Sequence, residues 1–113
     1  MSPITTHVLD TSLGRPALDV SVTLEIQSAG QWRELAQRLT NADGRVDDLV
    51  SEASVIERGA YRLSFETGVY FKAQGVLSFH PRVQVEFEIR DPAQHHHVPL
   101  LLSPFGYTTY RGS

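Results

Sequence analysis

The stretch VSVTLEIQ, residues 20–27, decides the fold class because its side chains alternate in character. Val22, Leu24 and Ile26 are separated by Thr23 and Glu25, which is the period-two pattern of a strand with one buried and one solvated face. The same alternation recurs in AYRLSFE, residues 60–66, and in RVQVEFEIR, residues 82–90. These runs predict antiparallel sheets as the main structure.

Turn signals separate the runs at residues 28–30, 41–44 and 91–92. With ITTHVLD, residues 4–10, and two further runs near the C-terminus, about seven or eight short strands are predicted, which is typical of a β-sandwich. The chain contains no linker, repeat or low-complexity stretch. We therefore expect one mainly β domain over residues 1–113.

Two segments have a helical spacing of apolar residues. WRELAQRL, residues 32–39, lies between a glycine turn and an Asp-Gly turn, and we predict a strand there. TGVYFKAQGV, residues 67–76, is predicted to be a short helix, with Gly75 as its C-cap.

Composition excludes several classes of function. The chain has 113 residues, a net charge of −3 and no cysteine, so it lacks a basic field for nucleic acid and any thiolate ligand. Its longest apolar cluster, residues 98–102, is too short to cross a membrane. The N-terminal residues do not resemble a signal peptide, so we expect a cytoplasmic location. Neither a G-x-S-x-G elbow nor a glycine-rich phosphate loop is present.

Three consecutive histidines, His95, His96 and His97, are the first candidate for chemistry. On a strand, His95 and His97 would face one side and His96 the other. With His7 as a third ligand, the outer pair could bind a metal, although cysteines are absent and few carboxylates lie nearby in the sequence. The run could instead be an exposed strand without a chemical role, or a source of metal-free acid and base groups. The residues alone leave all three interpretations open.

His7 and Arg45 are the next candidates. His7 lies in the first predicted strand, on one face with Thr5 and Leu9, where a lone histidine is commonly structural. Arg45 directly follows the Asn-Ala-Asp-Gly turn. It is either an ordinary surface arginine or an anchor whose guanidinium donates two hydrogen bonds to a planar ligand. The terminal YRGS, residues 110–113, is unusually elaborate for a chain end.

Four segments together resemble a known family: THVLDTSLGRPA (6–17), TNADGR (40–45), YRLSFETGVYF (61–71) and HHHVPLLLSPFGYTTYRGS (95–113). They are similar to the transthyretin-related 5-hydroxyisourate hydrolases over residues 4–113, and the terminal YRGS separates these enzymes from transthyretin itself. The resemblance implies a transthyretin-like β-sandwich of two four-stranded sheets with one short helix. It also implies a homotetramer, a dimer of dimers, with active sites in the channel between dimers.

The implied activity is hydrolysis of 5-hydroxyisourate to 2-oxo-4-hydroxy-4-carboxy-5-ureidoimidazoline in urate degradation, without metal or organic cofactor. The resemblance implies a catalytic set of His7, Arg45 and His97 and a substrate-binding set of Tyr110, Arg111, Gly112 and Ser113. In this interpretation the histidines activate water and shuttle protons, the arginine holds the polar edge of the substrate ring, and the tail closes the pocket.

The alternative is a transthyretin-like carrier that binds a small ligand in the same channel. Two histidines and an arginine suit a polar purine derivative better than an apolar ligand, beside which they would be desolvated without partners. The chain departs from the family pattern at His96, where a tyrosine is common. That departure puts in doubt only a peripheral contact.

Overall fold

The computed structural model describes residues 2–113, which form nine strands and one short helix. The elements in chain order are β1 (Ile4–Asp10), β2 (Arg15–Pro16), β3 (Ser21–Ser28), β4 (Gln31–Leu39), β5 (Arg45–Val46), β6 (Gly59–Phe65), α1 (Thr67–Ala73), β7 (Val83–Ile89), β8 (His96–Ser103) and β9 (Gly106–Thr109). Within residues 2–113, no helix combines the length and the apolar character that crossing a membrane requires.

The strands form two sheets. The first sheet has the order β2-β1-β8-β9, and β5 also pairs with β1; the second has the order β4-β3-β6-β7. The short strand β2 pairs with the C-terminal end of β1, and the short strand β5 pairs with its middle. Because both lie along the same edge of β1, they together take the place of one strand. The predicted sandwich of two four-stranded sheets with one helix is therefore confirmed.

The core lies between the two sheets, and the alternation in β3 explains it. Val22 and Leu24 are fully buried and Ile26 nearly so, whereas the residues between them are partly exposed. From the neighbouring strand β6, Leu63 and Phe65 are buried on the same side. Truncation of one such side chain to alanine costs roughly 2–5 kcal/mol.

The strand predicted for the WRELAQRL segment is confirmed as β4, and its helix-like spacing has a local cause. A register shift between Leu24 and Glu25 of β3 leaves Leu35 as an extra residue on β4, so the alternation changes phase there. A tight turn with positive φ at Ala29 (51°) and Gly30 (76°) joins the two strands.

The predicted helix is confirmed as α1, which buries Phe71 against the core. The C-cap is Gln74 and not Gly75 as predicted; Gly75 is the next residue, with φ of 69°. The N–H of Gly75 donates to the carbonyl of Lys72, and the N–H of Val76 donates to that of Phe71, both at 3.0 Å. This is the Schellman arrangement, which favours glycine after the cap.

Candidate active site

The outer face of the first sheet carries the candidate site. In β1, Thr6 and Val8 are fully buried toward the core, whereas His7 between them is half-buried on the outer face. Residues directly opposite each other on paired strands share a face. His7 pairs with Arg45 of β5, and Thr5 pairs with His97 of β8. The sheet register therefore places all three predicted catalytic side chains on one surface.

A tight turn positions Arg45. The side-chain oxygen of Asn41 accepts hydrogen bonds from the N–H groups of Asp43 and Arg45, both at 2.9 Å. Gly44 has φ of 74°, and a Cβ atom there would collide with the carbonyl oxygen of Val8. Because only glycine fits so close to β1, the turn delivers Arg45 directly opposite His7.

The histidine run divides between two faces, as its spacing predicts. His95 and His97 lie on the outer face with their rings stacked, 6.2 Å between centroids. The hydroxyl oxygen of Thr5 lies 2.9 Å from Nε2 of His95 and 2.7 Å from Nδ1 of His97. His96 points to the other side and is only 5% exposed. The run is thus neither a simple exposed strand nor a cluster of three convergent ligands.

Among residues 2–113, no group of three or more histidine, cysteine, aspartate or glutamate side chains is placed to hold a metal ion. The outer histidines instead both contact Thr5 through a ring nitrogen. The arrangement suits acid–base chemistry by the imidazoles themselves.

Burial and the nearby arginine disfavour the charged form of both catalytic candidates. Burial lowers the pKa of His7, and Arg45 lowers it further, while the backbone and the carboxylate of Asp43 act in the opposite direction. Burial also lowers the pKa of His97, assisted by Arg45, His95 and His7 and opposed by Asp47. Both imidazoles are therefore neutral near pH 7 and able to accept a proton.

An open cavity of about 500 Å³ lies over this surface. Its lining includes Thr5, Arg45, Asp47, His95, His97 and Ser113. Strand pairing places His7 beside Arg45, although His7 is not part of the lining. Every residue that lines the cavity has a polar or charged side chain, which suits a small polar molecule.

The C-terminal tail packs on this site through its last two residues. The N–H of Gly112 donates to the carbonyl of His97 at 2.8 Å. A Cβ atom at Gly112 would lie 2.6 Å from Cδ2 of the His97 ring. Glycine is therefore needed for the tail to lie against the ring, and Ser113 then reaches the cavity.

Tyr110 and Arg111 are not brought to this cavity. Both line a second cavity of about 230 Å³ near β7 and His96. They do not face opposite sides of a strand, because β9 ends at Thr109 and both residues lie beyond it. Nη2 of Arg111 donates to the carbonyl oxygen of His95 at 3.3 Å. The assignment of Tyr110 and Arg111 to substrate binding stays a prediction.

Sequence reasoning assigned no role to Thr5 or Asp47, and it considered His95 only as a possible metal ligand or acid–base group. Alternation already placed Thr5 on one face with His7, so a signal for Thr5 existed. No sequence signal tied Thr5 to His95, because that contact spans 90 residues.

The fold and the site together define a β-sandwich protein with an open cavity, lined by polar side chains, on the outer face of one sheet. Residues 4–112 match the HIUase/Transthyretin family. The chain is 50% identical to the 5-hydroxyisourate hydrolase of Mus musculus over 114 residues, covering 99% of this chain and 96% of that protein.

Solved structures agree with the sequence match. The fold is similar to that of Klebsiella pneumoniae 5-hydroxyisourate hydrolase, with a TM-score of 0.87, 40% identity and full coverage of both chains. Sea bream transthyretin in complex with thyroxine is also similar, with a TM-score of 0.90 and 34% identity over 97% of this chain and 94% of that one. The chain therefore belongs to the HIUase/Transthyretin family.

Proposed function

We propose that this chain hydrolyses 5-hydroxyisourate in urate degradation, using its own side chains and no metal or organic cofactor. The observation that carries this proposal is the placement of two neutral imidazoles, His7 and His97, beside the guanidinium of Arg45 on one open polar surface. The resemblance to 5-hydroxyisourate hydrolases over nearly the whole chain supplies the substrate.

The reaction is attack of water on a ring carbonyl and cleavage of the cyclic amide. One imidazole takes a proton from the water and becomes cationic, and that proton then passes, directly or through the second imidazole, to the departing nitrogen, which becomes part of the ureido group. Arg45 offsets the negative charge that develops on the carbonyl oxygen. Because its presence beside both histidines lowers their pKa values, the arginine also keeps the pair in the neutral form that accepts protons.

The tail contributes to the site both directly, by lining the cavity, and indirectly, by contacting the histidines. Ser113 lines the cavity directly and would hydrogen-bond the substrate, while Gly112 lets the tail lie against the His97 ring. Arg111 donates a hydrogen bond to the backbone carbonyl of His95 and so helps to hold the histidine run in position.

A homotetramer, built as a dimer of dimers, is part of the proposal. β7 and β9 are the edge strands at one end of each sheet, with unpaired backbone groups along one side. The side chain of Phe105, at the turn before β9, is 66% exposed, and that of Tyr107, within β9, is 42% exposed. Pairing of edges between copies would cover the strands, and packing of dimers would enclose the cavity over His97.

A small-ligand carrier is the second candidate, favoured by the similarity to sea bream transthyretin in complex with thyroxine. A carrier would gain nothing from a general base, whereas a hydrolase depends on one. The effect of substituting the site histidines on the rate of hydrolysis therefore distinguishes the two functions.

The test generates 5-hydroxyisourate in the cuvette from urate and urate oxidase and follows its ultraviolet decay with chelator present. We expect the protein to accelerate the decay catalytically, and we expect His97→Gln and His7→Asn to lower the rate by about 10²–10⁴. His80→Asn is the matched control, because the His80 ring packs on Phe79 and Tyr107 and does not line the cavity. No acceleration by the folded protein would favour the carrier, and activity lost to chelator and restored by zinc would refute the metal-free mechanism.

A further inference from the structure

The Thr5 hydroxyl links two histidines of the outer face, and only one of them belongs to the proposed catalytic set. Its oxygen lies 2.9 Å from Nε2 of His95 and 2.7 Å from Nδ1 of His97, and Thr5 is 4% exposed. A hydroxyl has a single hydrogen to donate and two lone pairs that accept. The role that Thr5 takes toward one ring therefore restricts the role it takes toward the other.

His97 acts as a base through Nε2 only in one arrangement of hydrogens. Because Nδ1 contacts Thr5, Nε2 is the nitrogen left for a bound water. A neutral imidazole carries one hydrogen, so Nε2 has a free lone pair only when the hydrogen is on Nδ1. Thr5 must then accept from His97, and its own hydrogen is available to Nε2 of His95.

The contact between His97 and Thr5 does not by itself fix the position of the hydrogen on the ring. The partner of Nδ1 of His97 is a hydroxyl, which donates or accepts, so this contact alone does not choose between the two hydrogen positions.

We propose that His95 is a positioning residue for His97, acting through Thr5. By accepting the Thr5 hydrogen at Nε2, His95 makes Thr5 the acceptor toward His97, and the hydrogen of His97 stays on Nδ1. Nε2 of His97 is then held ready to take a proton from water. The consequence for rate rests on the proposed hydrolase function; the hydrogen-bonded chain itself does not.

The surrounding contacts hold both rings in place for this role. The His95 and His97 rings are stacked at an interplanar angle of 18°. The tail binds the backbone of each: Nη2 of Arg111 donates to the carbonyl of His95, and the N–H of Gly112 donates to the carbonyl of His97. The tail thus restrains the two histidines whose nitrogens Thr5 joins.

The test measures the hydrogen position directly by ¹⁵N NMR of the histidine rings at pH 8, where neutral imidazoles dominate, with His97 assigned from the His97→Gln variant. We expect the Nδ1–H form of His97 in the wild-type protein. In His95→Phe, which keeps a stacked ring but offers no acceptor, we expect a shift to the Nε2–H form and a fall in kcat of about tenfold. His95→Gln, whose side-chain carbonyl can replace Nε2, should restore most of both, and His80→Phe should change neither.

Thr5 variants supply the second arm. Thr5→Val keeps the shape and removes the hydroxyl, while Thr5→Ser keeps it. We expect Thr5→Val to lower kcat, Thr5→Ser to retain it, and Thr5→Val combined with His95→Phe to lose no more than the worse single variant, because both break one chain. If the losses multiply, or if His95→Phe leaves the hydrogen of His97 on Nδ1, the inference is wrong. A protein that shows the hydrogen shift but does not hydrolyse 5-hydroxyisourate would overturn the proposed function and leave the chain of hydrogen bonds intact.

Discussion

Substitution of Gly112 by alanine should disable the site without unfolding the sandwich. The added Cβ would lie 2.6 Å from Cδ2 of His97, 3.4 Å from Cγ of the same ring and 3.3 Å from Cγ of Pro99. Carbon atoms pack comfortably at roughly 3.5–4.0 Å, so the ring or the tail must move by about 1 Å. A displacement of this size in a catalytic group costs on the order of 10² in rate.

The measurement is kcat/KM for 5-hydroxyisourate decay, with the temperature of unfolding recorded in parallel. Gly106→Ala is the matched control, because a Cβ there would meet nothing nearer than the Ser103 hydroxyl oxygen at 3.8 Å. We expect Gly112→Ala to lose about 10² in kcat/KM while both variants unfold near the wild-type temperature. Near-wild-type turnover by Gly112→Ala would refute the argument that the tail fixes the His97 ring.

Three further predictions follow from the electrostatics and hydrogen bonds. Because the pKa values of His7 and His97 are lowered from the ordinary 6.5, kcat/KM should fall in acid with a midpoint below pH 6.5; a pH–rate profile with its acid midpoint at or above 6.5 would contradict this. Arg45→Lys keeps the charge but loses the planar fork, so kcat/KM should fall by about 10- to 100-fold, which steady-state kinetics would measure. Burial would raise the pKa of Asp10, but hydrogen bonds, including one from the Tyr70 hydroxyl at 2.7 Å, outweigh it and lower that pKa. The carboxylate therefore stabilises the fold above its unfolded pKa of about 3.9 and loses this effect as pH falls through the lower folded value. Tyr70→Phe should lower the free energy of unfolding by about 1.5–3 kcal/mol at pH 7, and denaturant titration at pH 7 and pH 2 should show the difference shrinking in acid.

Alternation and turn signals were sufficient to predict most of the fold. Residues 20–27, 60–66 and 82–90 gave strands β3, β6 and β7 because each has one face against the core and one in water. β4 was harder, since the extra residue at Leu35 breaks the period, and only the flanking turns indicated a strand. The glycine after α1 was identified because a positive φ is nearly specific to that residue.

The candidate site was predictable as a set of residues but not as a set of contacts. Resemblance indicated His7, Arg45 and His97, and the register of β1 with β5 and β8 then explains why they share a face. The Thr5 contacts could not be predicted, because they depend on a parallel pairing between the two ends of the chain. Nor could the sequence show that Tyr110 and Arg111 line a separate cavity, since the tail leaves the strand before it reaches them.

The parallel pairing of β1 with β8 also determines when the site comes into existence during folding. Thr5 and His97 are 92 residues apart in sequence, so this contact requires closure of nearly the whole chain, a slow event compared with hairpin formation. During synthesis, β1 leaves the ribosome long before β8 does. The hairpin of β3 and β4 can therefore form while β1 is still unpaired with β8. The appearance of activity after dilution from denaturant should therefore trail the burial of the hairpin, and enzymatic rate becomes a kinetic probe of the last long-range step in folding.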